Sequence, residues 1–578
     1  MAQILAQQVY DFTGGLNFRA DQFQLKANES PGMLNVEIDP RGGVFSRAGY
    51  VNLHSTAITA TGWNPKRLFN YNGATVPTIM LTTGLKADAT PISGTVQHST
   101  GSNFSVLNYG AGTPIAVTSS NGASFAQWEE TLYMAIGSSA ASMYKWINTN
   151  TYATALTASG PTWQPYAVPT GGYMPRAEIN ITHANKHWVA NTYENGVAYP
   201  NRVRWSHENL PEDWMVDDYI DIVAGGDGVT GLQVVDGQLL IFKPKAVYLL
   251  MGYDADSFQL VELSITLGID YPQQAVVGDG GCYFFDYPNG LHFYNRNGIQ
   301  DIFERIRPII INNEVNSVAL DQITLSFIRN RVWISLPYLP TNMGSPPSYP
   351  NVNLIYDKTI GSTGAYTMFQ TAPSLNDDAT PVTIDGYGLV NGVEWRDSSD
   401  QPIYLMISPD DDYKFVYSVD DYDNTIDTMP HSLDGKFETT YRTSWFDNNR
   451  YVQLKTFIRP YLVLKEVSSP TIIQLSIFRN YDESTTYGAV RSITLSPTTS
   501  GGTYSTNSVG GVYGTATYGT TTVGAALKTR GLPPLGKAFS IQLEFSGPDS
   551  LTSLTFPGRK WGLNSIAYKF KNRQIRGN

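Results

Sequence analysis

The sequence is poor in cysteine, in charge and in long apolar segments. Cys282 is the single cysteine among 578 residues and lies in an apolar run, so we expect a buried thiol rather than a disulfide or a cysteine-based zinc site. Charged residues make up 15% of the chain, against about 25% in an average globular protein. No run of about 18 apolar residues occurs, which argues against a membrane-spanning helix.

The chain also lacks an excess of basic residues. Its formal net charge is −11, which argues against a face that clamps DNA, because such binding needs Lys and Arg to displace counterions from phosphates. The negative net charge is compatible with a channel wall past which DNA slides. The start of the chain, MAQILAQQVY, lacks the basic start and apolar core of a signal peptide, so we expect a soluble protein made in the cytoplasm.

Helical periodicity is absent over any long stretch. The 52 glycines, 33 prolines and 36 tyrosines indicate many turns between aromatic strands. A chain of this length is expected to form more than one packing unit. We therefore predict an all-β protein.

The stretch Gly225–Ile302 predicts two successive four-stranded units. Asp236–Gly237 joins two apolar runs and tolerates the positive φ angles of a two-residue hairpin turn. Asp279–Gly280 repeats this turn 43 residues later, close to the 40–45 residues of one propeller blade. The strands predicted around these turns are Leu232–Val235, Leu239–Phe242, Ala246–Met251, Phe258–Ser264, Ala275–Val277, Cys282–Asp286, Leu291–Tyr294 and Ile299–Ile302.

Similar turns recur through residues 61–430, separated by 43 to 62 residues. Four-stranded units at this spacing predict a β-propeller of six or seven blades, since such units bury both faces by closing into a ring. The alternative is a set of β-meanders in two sandwiches. The turns are Asn72–Gly73, Glu129–Glu130, Asn185–Lys186, Asp236–Gly237, Asp279–Gly280, Arg329–Asn330 and Asn391–Gly392.

The two ends of the chain have a different character. Residues 1–60 are predicted to form a compact segment with a hairpin of Leu34–Ile38 and Val44–Arg47. Residues 431–578 contain longer strands typical of a β-sandwich. Within them, residues 497–524 are rich in Gly, Thr and Tyr, and we expect an exposed arm ordered mainly by a partner.

Recognisable catalytic motifs are missing from the sequence. It contains no P-loop and no GxSxG elbow, and we expect no catalytic residue and no cofactor. His183 and His187 lack the glutamate of the helical zinc motif, so we interpret them as a hairpin pair. The adjacent acids Glu129–Glu130 and Glu212–Asp213 are compatible with glycosidase chemistry, but solvated loop positions are the favoured interpretation.

A run of aspartates near residue 420 is the densest charge feature. Asp421, Asp423 and Asp427 are weak candidates for calcium ligands. The calcium-loop pattern needs Gly at its sixth position and Glu at its twelfth, and neither is present here. We favour a solvated acidic edge, which would repel phosphates if it faced DNA.

Two segments carry a resemblance to a known family. FTGGLNFRADQFQLKANESPGMLNVEIDPRGGVFSRAGY and PNRVRWSHENLPEDW resemble the opening and the blade region of the tail nozzle (tail tubular protein B) family of tailed phages of the podovirus type. The resemblance covers roughly residues 10–50 and 200–305. In the first segment the matching positions are Phe12, Gly14, Gly15, Asn17, Arg19, Asn28–Pro31, Asn35–Val36, Arg47, Gly49 and Tyr50.

The resemblance implies a structural and non-enzymatic virion protein of the phage tail. It implies a homohexamer at the distal end of the tail, with a platform formed by the N-terminal segment and the C-terminal sandwich and a propeller outside it. The expected partners are adaptor or portal-proximal tail proteins and tail fibres or spikes, while double-stranded DNA passes through the channel and is held until ejection. Two alternatives remain: a propeller that binds or cleaves glycans of a receptor, and an adaptor between portal and tail.

Overall fold

A computed structural model provides the fold. It describes residues 4–58, 64–84, 94–110, 112–137, 142–156, 175–194, 196–215, 217–224, 227–254, 256–339, 349–371, 386–397, 400–409, 414–421, 427, 437–447, 453–457, 461–464, 471–484, 486, 491–496, 503–508, 511–517, 526–527, 536–547 and 561–572. Strands dominate the described residues, which confirms the all-β prediction.

Seven small antiparallel sheets, each of four or five strands, form the blades of a propeller. Each blade begins with an inner strand that contacts the inner strands of its neighbours. In blade order the strands are Pro65–Asn72, Pro77–Thr83, Gly94–Ser99, Ser105–Val106 and Ala116–Val117; Ser124–Trp128, Thr131–Ala135, Met143–Trp146 and Thr154–Leu156; Arg176–His183, Lys186–Glu194, Val197–Trp205 and Tyr219–Asp221; Gly231–Val235, Gln238–Lys243, Ala246–Met251 and Gln259–Ser264; Ala275–Gly278, Gly281–Asp286, Gly290–Asn295 and Gly298–Asp301; Thr324–Ile328, Arg331–Leu336, Val352–Asp357 and Ala365–Phe369; Val390–Arg396, Pro402–Ile407, Val416–Asp421 and Gly49–Asn52.

The hairpin turns between first and second strands follow the predicted dipeptides in most blades. Asp236 and Asp279 have φ angles of 50° and 52°, as a two-residue turn between twisted strands requires. Asn391 also has a positive φ of 51°, but it lies inside Val390–Arg396 at a register shift between Val390 and Val393. The turn predicted at Asn391–Gly392 is therefore wrong, because the same backbone conformation produces a β-bulge there.

Blade 7 closes the ring, and its strands come from both ends of the propeller in the sequence. Val390–Arg396, the inner strand of blade 7, contacts the inner strands of blades 6 and 1. The outer strand of blade 7 is Gly49–Asn52, which pairs antiparallel with Val416–Asp421. This closing strand falls within residues 1–60, which the sequence had placed in the N-terminal segment.

Two larger sheets form the platform from both ends of the chain, as the fold prediction stated. One contains eight strands and the other seven. The eight are Ile4–Val9, Val36–Ile38, Val44–Ser46, Lys455–Phe457, Tyr461–Leu464, Ala526–Leu527, Gly536–Ala538 and Gly562–Asn572; the seven are Gly32–Leu34, Thr439–Arg442, Thr471–Arg479, Arg491–Ser496, Thr503–Ser508, Gly511–Thr517 and Ile541–Gly547.

The shorter elements connect these sheets. Gly15–Leu16 pairs parallel with Glu29–Ser30, and Asn108–Tyr109 pairs with Thr113–Pro114. Among the described residues, the helical segments are the α-helix Pro308–Ile311 and the 3₁₀ turns Pro272–Gln274 and Leu320–Gln322. In the part of the chain that the structure describes, no helix has the length and apolar character needed to span a membrane.

One continuous hydrophobic core joins the platform to the propeller. It includes Phe12 and Leu16 from the N-terminal segment, Tyr283 from blade 5, Tyr366 from blade 6 and Phe545 from the sandwich. Because these side chains share one buried cluster, the platform and blades 5 and 6 are packed as one body.

Two strands replace part of the predicted arm. Thr503–Ser508 and Gly511–Thr517 pair with each other and extend the seven-stranded sheet beyond Arg491–Ser496. The prediction of an exposed arm over residues 497–524 is corrected at these positions, because Thr, Tyr and Val favour a pleated strand even where glycine is frequent.

Candidate functional site

The histidine pair lies on a hairpin, as predicted. His183 ends the inner strand of blade 3, and His187 pairs with Thr182 across the turn. Burial lowers the pKa of His187 to about 4. Its ring nitrogens lie 3.2 Å from the carbonyl oxygen of Pro211 and 3.4 Å from Nδ2 of Asn180, so the neutral ring is a structural link within blade 3.

The adjacent acids lie in turns and loops of neighbouring blades. Glu129 lies in the first hairpin turn of blade 2 with a φ of 49°. Glu212 accepts hydrogen bonds from the Tyr133 hydroxyl at 2.9 Å and from the Lys145 ammonium at 2.7 Å. Burial, followed by the Glu212 charge, raises the pKa of Tyr133. Glu212 therefore links blade 3 to blade 2.

The structure describes two of the three calcium candidates. Asp421 ends the third strand of blade 7, Asp423 lies outside the described residues, and Asp427 is buried. The other acidic positions at Asp410, Asp411 and Asp412 also lie outside the described residues. Among the described residues, no group of three His, Cys, Asp or Glu side chains is placed to hold a metal ion.

Asp427 instead completes a clamp around Arg47. Nη1 and Nη2 of Arg47 lie 2.9 and 2.7 Å from the two carboxylate oxygens of Asp427, and the Tyr50 amide donates to the same carboxylate at 2.9 Å. The guanidinium lies between the rings of Tyr50 and Phe437, 3.9 and 3.7 Å from their centroids. Its Nε donates to Oδ1 of Asn35 at 2.9 Å. This Arg47 clamp joins the N-terminal segment to the residues that follow blade 7.

Other positions of the first resemblance segment also make defined contacts. Gly15 has a φ of 66°, and a Cβ there would be 2.9 Å from the backbone oxygen of Tyr366 in blade 6. Nδ2 of Asn17 donates to the buried Glu29 at 3.1 Å. The Ser30 hydroxyl donates to the Arg442 carbonyl at 2.6 Å. Gly15 therefore lies against the propeller, whereas the other two bonds hold the N-terminal segment together and join it to the C-terminal part of the platform.

The second resemblance segment contributes a charge ladder at the outside of blade 3. Arg202 binds Asp221 through two hydrogen bonds of 2.8 Å. Arg204 binds Glu194 at 2.9 Å, and Tyr219 lies under the Arg202 guanidinium at 3.6 Å. Planar guanidinium groups match carboxylates and aromatic faces in this way, and the ladder fixes the outer strand of blade 3.

A shallow depression of about 440 Å³ lies between the platform hairpin and the first turn of blade 6. Its lining consists of Asp39, Pro40, Arg41, Phe45 and Arg329. Arg41 and Arg329 are exposed, so this depression is an open surface feature of the joint.

Polar side chains converge where the inner strands of the blades begin. Nζ of Lys66, on blade 1, lies 3.2 Å from Oδ2 of Asp321, which precedes blade 6. Blade 7 lies between those two blades in the ring, so this pair crosses the end of the ring near its axis. Nε2 of Gln273, at the start of blade 5, donates to the Asp321 carbonyl at 2.9 Å. Burial lowers the pKa of Lys66, and Asp321 opposes that effect.

Lys66, Gln273 and Asp321 form a group that we name the axial cluster, which connects the starts of blades 1, 5 and 6. Arg67 follows Lys66 in the same strand, and its Nη1 lies 3.2 Å from Oγ of Ser124, at the start of blade 2. No local sequence pattern indicates the axial cluster, because its members lie far apart in the chain.

Comparison with known proteins yields similarity in solved structures alone. No family model and no curated protein matches the sequence. Trypanosoma rangeli sialidase with the inhibitor DANA is 11% identical, with 91% of this chain and 95% of that chain covered and a TM-score of 0.28. Apo AztD from Citrobacter koseri is 10% identical over 53% and 88%, with a TM-score of 0.27. A glycoside hydrolase family 43 arabinoxylan arabinofuranohydrolase from Bacillus subtilis is 10% identical over 89% and 96%, with a TM-score of 0.23.

These comparisons correct one prediction. Sialidase and the family 43 hydrolase are enzymes, so the prediction that this chain is not an enzyme is withdrawn. At this level of identity the likeness concerns the propeller fold and assigns no reaction to this chain.

Proposed function

We propose that the protein is a structural subunit of a phage tail nozzle, which forms a hexameric ring around the path of the genome and gates its ejection. The observation that carries the proposal is the joint between platform and propeller. Arg47, Asn35 and Gly15 match the tail nozzle segment in sequence, and each takes part in that joint: Arg47 and Asn35 bind Gln370 just after blade 6, and Gly15 lies against Tyr366 in its last strand. The matching residues thus serve the architecture that the resemblance implies.

Exposed apolar side chains on the platform support assembly into a larger particle. Phe23 is 51% exposed, and its ring lies 4.4 Å from that of Tyr481, which in turn lies 5.1 Å from Trp445. Phe539 and Tyr10 are also exposed on the platform. Exposed aromatic side chains are enriched in protein interfaces.

The test is the oligomeric state of the purified protein. We expect electron microscopy to reveal six-fold rings with a central hole, and mass photometry to give the mass of six chains. Phe23→Asp should shift the population toward monomers while the melting temperature of the subunit is unchanged, and Val318→Asp, at an exposed propeller residue, should leave the ring intact. A monomer at high concentration in the wild-type protein would contradict the proposal.

Recognition of a receptor glycan is the second candidate, and the axial cluster favours it. Donors and acceptors from blades 1, 5 and 6 meet at Asp321, and Gln273 Oε1 is buried without a hydrogen-bond partner among the described residues. Convergent polar groups are typical of ligand sites. Binding on a glycan array that Gln273→Leu abolishes would support this candidate, and a blank array together with six-fold rings would exclude it.

A further inference from the structure

Two sheets of the platform end in a strand that is open on one side. Among the described residues, Ile4–Val9 pairs with Gly562–Asn572 alone, at the margin of the eight-stranded sheet. Gly511–Thr517 pairs with Thr503–Ser508 alone and is the last strand of the seven-stranded sheet. On its open side, each strand presents a row of backbone N–H and C=O groups that can pair with a further strand.

These two open edges lack the features that protect sheet edges in soluble proteins. A protected edge strand is very short, contains a charged residue or a proline, or is covered by another element. Ile4–Val9 has six residues and Gly511–Thr517 has seven. Neither strand contains a charged residue or a proline, so both edges are suited to receive a strand.

The other outermost strands of the sheets are protected. Apart from the inner strands of the blades, two further outermost strands among the described residues contain five residues or more. Gln259–Ser264 of blade 4 carries Glu262, and Ala365–Phe369 of blade 6 contacts Gly32–Leu34 and Val36–Ile38 of the platform. The remaining outermost strands have two to four residues. The two open edges of the platform are therefore distinct from every other edge that the structure describes.

We propose that these two open edges pair with each other between copies of the chain, so that Ile4–Val9 of one copy adds a strand beside Gly511–Thr517 of the next. The inference rests on the proposed ring and identifies the strands that join its subunits. Because the two edges differ, the contact is head-to-tail, and such a contact can repeat around a closed ring. Backbone hydrogen bonds supply the affinity of an interface of this kind, which needs no charged side chains.

Cross-linking between two single-cysteine variants tests the pairing. The background is clean, because Cys282 of the natural sequence is buried. Ala6→Cys and Thr515→Cys chains are co-expressed and treated with a short bismaleimide, each end of which adds one thiol without an oxidant. We expect a cross-linked dimer from the co-expressed chains and none from either variant alone. A cross-link in Thr515→Cys alone would overturn the proposal, because it would indicate two-fold pairing of that strand with itself.

The same experiment separates this inference from the proposed function. Rings that form without the cross-link would overturn the pairing and leave the proposed nozzle ring intact. Cross-linked filaments in place of rings would support the pairing and contradict the closed ring. The absence of both rings and cross-links would overturn both proposals.

A change in the backbone of Gly511–Thr517 provides the second test. Ser508 and Gly511 are paired across two intervening residues, so they exchange hydrogen bonds, and the N–H group of Val512 points to the open side. Val512→Pro removes this donor, and proline is tolerated in an edge strand. The concentration at half assembly should rise by about tenfold or more, with the melting temperature of the subunit unchanged. Val512→Thr keeps the N–H group and should assemble like wild type. Equal assembly of both variants would overturn the proposal.

Discussion

Individual buried charges are the residues on which this structure depends most. Asp427 and Arg47 are both almost inaccessible to water, and their sequence positions are 380 apart. A buried charge left without its partner is strongly destabilising, whereas an exposed pair contributes little. Loss of the ion pair in the Arg47 clamp should therefore lower the free energy of unfolding by a measurable amount.

We expect Asp427→Asn to lower the free energy of unfolding by about 3–5 kcal/mol, because it leaves the Arg47 guanidinium buried and unpaired. The control is Asp236→Asn, whose partner Arg296 is 81% exposed, with an expected loss below about 1 kcal/mol. Both values are measured by urea denaturation. Equal losses in the two variants would contradict the role of the clamp.

Stability should also depend on pH through His187. Burial holds its pKa in the folded protein at about 4, below the ordinary value of 6.5. The unfolded chain binds a proton at His187 more readily than the folded protein does. The contribution of His187 to the free energy of unfolding is therefore complete above pH 6.5 and is lost as the pH falls from 6.5 toward 4. Denaturation curves at pH 7.5 and 4.5 should show a larger drop for wild type than for His187→Gln. A parallel drop in both proteins would assign the pH dependence to other groups.

At the scale of elements, close approach between the N-terminal segment and blade 6 is the feature to test. Gly15 and Gly237 both have a positive φ, but a Cβ at Gly15 would press on the Tyr366 backbone, whereas nothing lies within 4 Å of one at Gly237. The two glycines thus separate the cost of backbone conformation from the cost of contact.

We expect Gly237→Ala to cost about 1 kcal/mol, the strain of an L-residue in the left-handed region. Gly15→Ala should cost more than about 2 kcal/mol, because crowding adds to that strain. Thermal and chemical denaturation of the two variants provide the comparison. If the two losses are equal, the contact with blade 6 is not tight.

The edge of the seven-stranded sheet allows a deletion test. Thr503–Ser508 and Gly511–Thr517 are the last two strands in its order, so removing residues 497–524 leaves the remaining pairs of that sheet in place. We expect the melting temperature to change by only a few degrees and ring assembly to weaken. A large loss of subunit stability would instead place this segment within the core of the fold.

At the scale of the whole molecule, the sequence predicted correctly those strands and turns that depend on local patterns. The strands of blades 4 and 5 follow their apolar runs closely, because alternation and Asp-Gly turns act over a few residues. Asn391–Gly392 shows the limit of predicting turns from dipeptides, since the same dipeptide is compatible with a hairpin turn and with a β-bulge. The partner of Arg47 was not predictable, because Asp427 lies 380 positions away in the sequence.

The closing strand Gly49–Asn52 also constrains the order of events during synthesis. It leaves the ribosome early, but its partner Val416–Asp421 emerges only after all the other blades. Blade 7 is therefore incomplete until most of the chain exists, and Gly49–Asn52 stays without its partner strand until then, open to pairing with other strands. Folding of this protein should thus be slow and sensitive to crowding by its own nascent copies, and co-expression of a chaperone should raise the soluble yield.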